Sequence, residues 1–181
     1  MPLICAISTW NVGAAAGAEV AATTPGIDAW VLASQPTSAD IHVIALQEAC
    51  DINSPLAYLY NPLADAAAVS AGAAVWETAV TNFLPQHTVV AKQELVGMVL
   101  IVLVASPHVA ACSAARVTHM GTGPLGAGNK GAVAASLTIY GSSICIICSH
   151  LASGSKGTDS CQLLDHRRPS GACAMAAASP L

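Results

Sequence analysis

The chain has 181 residues, the size of one ordinary domain and too short for two. Six Lys and Arg stand against ten Asp and Glu, a formal charge of −4, so nothing electrostatic argues for a nucleic-acid ligand. Hydrophobic residues reach 54% and mean hydropathy is +0.60, but much of the excess is alanine, whose single methyl adds little burial free energy. Composition excludes a disordered chain, a collagen and a coiled coil, and leaves a globular domain. The most apolar run, 95–105, falls well short of the roughly twenty residues of a membrane-spanning helix. No Lys or Arg precedes Lys92, and Ser8, Thr9 and Asn11 interrupt the first apolar stretch, which is not the pattern of a secretory leader. Seven cysteines, an odd number without a framework spacing, read as reduced thiols of a cytosolic protein.

In chain order, residues 3–10 form an apolar run ending at Asn11, consistent with a buried strand. Residues 13–25 are rich in Ala and Gly and read as a loop. Ile27, Trp30 and Val31 share one face of a short helix that stops before Pro36. Residues 40–47 make a second strand with Glu48 at its C-terminal end. Asn61-Pro62 is a helix start, since proline's missing N–H costs nothing at the first helical position. That helix is expected to break at Gly72 and to resume with Trp76, Val80, Phe83 and Leu84 on one face, ending at Pro85. Residues 89–104 fit one or two strands, and 132–140 with 143–149 read as a hairpin around Gly141. The tail from Pro169 is low in complexity and is expected to be unstructured.

Two local motifs carry less than they suggest. Gly121, Gly123 and Gly126 spell G-x-G-x-x-G, but a strand-like segment follows where a dinucleotide site needs a helix, and no acidic residue stands about twenty positions on. Lys130 also lacks the flanking residues of a P-loop. Cys145 and Cys148 form C-x-x-C, yet positions three apart on a strand point to opposite faces, and no second pair completes a zinc site. They read as small core residues.

More informative is a set of polar residues at the ends of apolar strands. Asn11 ends the first and Glu48 the second, His150 ends the run 144–149, and Asn129-Lys130-Gly131 precedes another. Sheet-built sites gather where strands give way to loops, because the sheet fixes those positions and leaves them open. An amide and a carboxylate are hard oxygen donors suited to Mg²⁺, which keeps several waters and binds through one or two carboxylates plus a phosphate. A Lys beside glycines suits a phosphate as a point charge. The other five histidines read as core or surface residues.

Five segments in order carry a family resemblance: STWNV (8–12), DIHVIALQE (40–48), LVGMVL (95–100), TGPLGAGNKGAV (122–133) and CSHLASG (148–154). Together with the helix around Trp30 and with Trp76, they resemble the catalytic domain of the inositol polyphosphate 5-phosphatases over residues 1–168. Position 13 is Gly where that family often has Asn. The resemblance implies an α/β fold, a four-layer sandwich of two mixed sheets flanked by helices, like that of DNase I-type endonucleases. It also implies Mg²⁺-dependent removal of the 5-phosphate from a phosphoinositide or a soluble inositol polyphosphate. Asn11 and Glu48 would hold the metal, Glu48 as its carboxylate ligand. His150 would hydrogen-bond the scissile phosphate, and Asn129 and Lys130 would contact another phosphate. Such a protein is cytoplasmic, meeting membranes peripherally through the lipid head group.

The departures are as informative. No G-D-x-N, W-C-D-R or S-D-H segment occurs in these residues; Asp165-His166 follows S-H-L-A too soon to be the last of them. The chain therefore reads as the N-terminal half of such a domain, truncated, with residues 169–181 as an unrelated tail. Two readings stay open: a 5-phosphatase by descent, inactive as an isolated chain, and a non-catalytic remnant that binds at most a phosphate or a protein partner. A nuclease is disfavoured by G-N-K-G-A-V and by the scarcity of basic residues. Half a sandwich is also expected to leave an apolar sheet face and strand edges uncovered, making the chain prone to self-association.

Overall fold

The first two apolar runs become β1 (Cys5–Asn11) and β2 (Ile41–Gln47), which pair in parallel with Asn11 beside Gln47. The computed structural model describes residues 2–13, 39–49, 66–123 and 128–151. Helix α1 (Ala66–Phe83) follows, then β3 (His87–Leu95), β4 (Met98–Ala105), a 3-10 helix (Ser106–Ala111), β5 (Cys112–Gly121), β6 (Gly131–Ile139) and β7 (Ser142–His150). The expected loop at 14–25, the helix at 27–31, the start at Asn61-Pro62 and the tail from Pro169 lie outside the described residues.

The strands form two sheets. The first, ordered β1-β2-β4-β3, is mixed, with one parallel and two antiparallel pairs. The second, β5-β6-β7, is antiparallel throughout, so among the described residues only one of the two sheets is mixed. The sheets are packed face to face. Ile41, Val43 and Ala45 on β2 and Leu100, Val102 and Val104 on β4 meet Val133, Ala135, Leu137 and Ile139 on β6. The opposite face of the first sheet, with Ile44, Leu46, Ile101 and Leu103, is covered by Trp76, Val80 and Leu84 at the end of α1. β2 and β4 are thus buried on both faces, which is why their sequences are apolar without alternation. Each fully buried aliphatic side chain contributes about 1.5–3 kcal/mol.

Several local expectations meet the structure differently. α1 runs through Gly72 without a break, since one glycine costs only about 1 kcal/mol in a helix otherwise rich in alanine. Its end at Phe83 follows from Pro85, which disfavours helical backbone at the preceding residue. The span 89–104 is two strands joined at Val96-Gly97, both at positive φ, and the 140–141 turn is the same device with Tyr140 and Gly141. β1 is not a buried strand but an alternating one. Ile7 lies in register with fully buried Val43, yet it is 59% exposed.

At the end of the sandwich where β2 begins, a polar chain ties the two sheets together. Asp40 accepts from the Ile4 backbone N–H (2.7 Å) and pairs with His108 Nε2 (3.0 Å), whose Nδ1 meets the Tyr140 hydroxyl (2.9 Å). The Ile4 amide first, and then His108, hold the Asp40 carboxyl below its ordinary range. A carboxylate depressed in the fold contributes stability that is present above its unfolded pKa and lost as pH falls through its folded one. Asp40→Asn should therefore lower the urea midpoint at pH 7, and its difference from wild type should shrink as pH falls below about 4. A difference constant between pH 7 and pH 3 would mean that the carboxylate's charge is immaterial.

Candidate functional site

Asn11 and Glu48 stand together because β1 and β2 are parallel and end in register. Asn11 Oδ1 accepts from the Gly13 backbone N–H at 3.0 Å, a short side-chain-capped turn. Gly13 sits at φ +65° with nothing within 4 Å of where a Cβ would be. Asn is the other residue that tolerates this backbone. Glu48 itself has φ +53°, an uncommon conformation for a side chain of its kind, and Ala49 N–H donates to Gly97 O at 2.9 Å just beyond it. The bend turns the carboxylate onto Asn11, whose Nδ2 donates to Oε1 at 3.2 Å.

The second sheet supplies the facing groups. Gly131 opens β6 and pairs with His150, the last residue of β7, so Lys130 and His150 are neighbours. Lys130 Nζ lies 2.6 Å from His150 Nε2, and the same Nε2 lies 3.3 Å from Glu48 Oε1. One nitrogen cannot accept from the ammonium and donate to the carboxylate at once. Burial first, and then the Lys130 charge, push His150 below its ordinary pKa, against the smaller opposing pull of Glu48. At neutral pH the ring is therefore uncharged, with Nε2 accepting from Lys130, and its proton is on Nδ1. That nitrogen is buried without a partner among the described residues. Burial also lowers Lys130, while Glu48 favours its charge.

Of the five residues singled out from the sequence, the structure brings four together: Asn11, Glu48, Lys130 and His150. Asn129, next to Lys130 in sequence, is buried, and its Oδ1 has no hydrogen-bond partner among the described residues. Gln47, missed in the sequence, lies directly below the cluster. Its signal was a polar residue at an inward position of an apolar strand. Cys148 points into the core while Cys145 points away, and a strand, β6, follows the glycines; among the described residues no group of three or more His, Cys, Asp or Glu could hold a metal.

The residues fit a hard divalent cation by donor type. Their hard donors are the Glu48 carboxylate and the Asn11 amide, whose nitrogen here faces Glu48 Oε1 while its oxygen accepts from the Gly13 N–H. That is the donor set of an ion such as Mg²⁺ that keeps several of its waters.

A comparison of families decides the relationship. The model of endonuclease/exonuclease/phosphatase family 2 matches residues 8–166. The chain belongs to that family. Type I inositol polyphosphate 5-phosphatase 5 of Arabidopsis thaliana is 36% identical over 74 residues, 40% of this chain and 14% of that protein. Type IV inositol polyphosphate 5-phosphatase 6 of the same plant is 32% identical over 108 residues, 59% of this chain and 16% of the relative. Among solved structures, the inositol polyphosphate 5-phosphatase domain of SPsynaptojanin, in complex with inositol (1,4)-bisphosphate and calcium ion, superposes with a TM-score of 0.66. Identity to it is 25%, over 87% of this chain and 42% of that domain. The Cimex nitrophorin ferrous NO complex, with a TM-score of 0.57 at 16% identity, shares the fold alone. The chain thus spans well under half of the relatives it matches, and its fold is the α/β sandwich of the DNase I-like superfamily.

Gly131 holds the site loop. It has φ +147°, and a Cβ there would lie 2.0 Å from Met120 O and 3.0 Å from Gly121 Cα. The glycines at 121 and 131 serve this close backbone approach. Gly131→Ala should cost about 3 kcal/mol, measured by urea unfolding; a loss below about 0.5 kcal/mol would show that the strands separate freely there.

Proposed function

We propose that Asn11, Glu48, Asn129, Lys130 and His150 form the cation- and phosphate-holding part of an inositol polyphosphate 5-phosphatase site. The observation that carries the reading is that Asn11 Nδ2 and His150 Nε2, from the two sheets, meet on Glu48 Oε1, with Lys130 joined to them through His150 Nε2. The substrate class is a phosphoinositide or a soluble inositol polyphosphate, as the relatives' names support. Glu48 and Asn11 would hold Mg²⁺, which when bound would supply positive charge to the oxygens of a transferring phosphoryl group. Neutral His150 offers Nε2 to the Lys130 ammonium, which leaves that cation aimed at an incoming phosphate. When His150 takes a proton, Nε2–H donates to the scissile phosphate instead. Asn129 Nδ2 donates to a second phosphate, and its Oδ1 accepts from a ring hydroxyl. Contact with membranes is peripheral, through the lipid head group of a cytoplasmic protein. Among the described residues, no helix is long and apolar enough to cross a bilayer. The domain-like part spans 1–168 and the tail 169–181.

These 181 residues lack a G-D-x-N segment and hence that motif's water-activating Asp. Expressed alone, they bind without appreciable turnover, because missing even one electrostatic donor typically costs about 10²–10³ in rate. Calorimetric titration of inositol 1,4-bisphosphate should show Mg²⁺-dependent binding. Glu48→Gln and Lys130→Ala should each weaken it about 10-fold or more, the worth of a hydrogen bond to a charged group. Binding indifferent to Mg²⁺ and to both substitutions would sink the assignment. Phosphate release from a 4,5-bisphosphorylated inositide at about 1–10³ s⁻¹ would replace the binding-only reading with an active enzyme.

A further inference from the structure

The inward face of β2 reads Ile41, Val43, Ala45 and then Gln47, an amide where the pattern calls for another apolar side chain. Its Nε2 donates to Thr9 Oγ1 on β1 at 3.2 Å and to Cys148 Sγ on β7 at 3.2 Å. The Cys148 thiol in turn faces Leu46 O at 3.6 Å, and the Gln47 carbonyl accepts from Val12 N–H at 2.9 Å. One side chain therefore links three strands and both sheets. Each of those strands carries a site residue just beyond the link: Asn11 is two positions after Thr9, Glu48 one after Gln47, and His150 two after Cys148. Positions two apart on a strand share a face, so the amide lies directly beneath the cluster.

Most of the contact between the sheets is apolar, and the other polar links described outside the site, Asp40–His108–Tyr140 and Gln93–His119, do not involve β7. Apolar contact is non-directional and tolerates sliding of one sheet over the other, whereas a hydrogen bond loses strength steeply with misalignment. We infer that Gln47 is a positioning residue that fixes the height of β7 against β1 and β2, and so the spacing between Glu48 and His150 on which ligand binding depends. The inference rests on the proposed site for its binding consequence and on the hydrogen bonds alone for its geometric one.

The test compares Gln47→Leu, Cys148→Ala and Cys148→Ser with wild type in crystal structures, in thermal melts and in Mg²⁺-dependent titrations of inositol 1,4-bisphosphate. Gln47→Leu fills its apolar surroundings and should change Tm by a few degrees at most. It should also open the Glu48–His150 contact from 3.3 Å to beyond about 4 Å, out of hydrogen-bond range, and weaken binding about 10-fold. Cys148→Ala should reproduce part of both effects, and Cys148→Ser, which restores an acceptor, should recover them. An unchanged contact and unchanged affinity in Gln47→Leu would overturn the inference. If that variant does not fold, an unchanged contact in Cys148→Ala overturns it instead. A contact that opens in a protein whose wild type binds no ligand would uphold the positioning role and overturn the proposed function.

Discussion

The register of β2 governs the rest of the molecule. The strand is buried on both faces, against β6 on one side and α1 on the other. A one-residue slip would exchange every inward and outward side chain. It would drive Gln47 and Glu48 out of their places and put His42 into the sheet interface. With that register fixed, parallel β1 brings Asn11 level with Gln47, and the hairpin of β6 and β7 brings Lys130 and His150 across from the other sheet. The site is consequently rigid on the β2 side and depends for its second half on how well the sheets are held in line.

Its electrostatics follow from sharing. One carboxylate, one amide, one ammonium and one imidazole lie within hydrogen-bond range of each other in a chain from Asn11 to Lys130. With His150 uncharged, the ammonium and carboxylate nearly balance, so the cluster presents neither a strong cation trap nor a strong anion trap. On the proposed function, a divalent cation on Glu48 and a phosphate on Lys130 would favour each other's arrival, each offsetting the charge the other leaves uncompensated.

How much of this could be read in the sequence varied with the physics of each part. β2 and β4 were legible because burial on both faces leaves an unbroken apolar run. The turn at Gly141 and the end of α1 before Pro85 were legible from glycine and proline chemistry. β5 was not: it is an edge strand, largely exposed and bulged around Ala114, with no apolar alternation to betray it. The Asp40–His108–Tyr140 chain was not either, since Asp40 and His108 meet across 68 residues of sequence and no local pattern encodes that. That Asn11, Glu48, Lys130 and His150 come together was legible because each is a polar residue ending or preceding an apolar strand. Gln47 escaped for the converse reason, being inside the strand and polar without being terminal.

The central claim is that Glu48 and Asn11 hold a cation facing a phosphate held by Lys130 and His150. Crystals soaked in Mn²⁺ and inorganic phosphate test it most directly, because manganese is located by its anomalous scattering. The account predicts one manganese peak within coordination distance of the Glu48 carboxylate and the Asn11 amide oxygen, with phosphate against Lys130. Manganese bound elsewhere, with the Lys130–His150–Glu48 contacts unchanged, would contradict it.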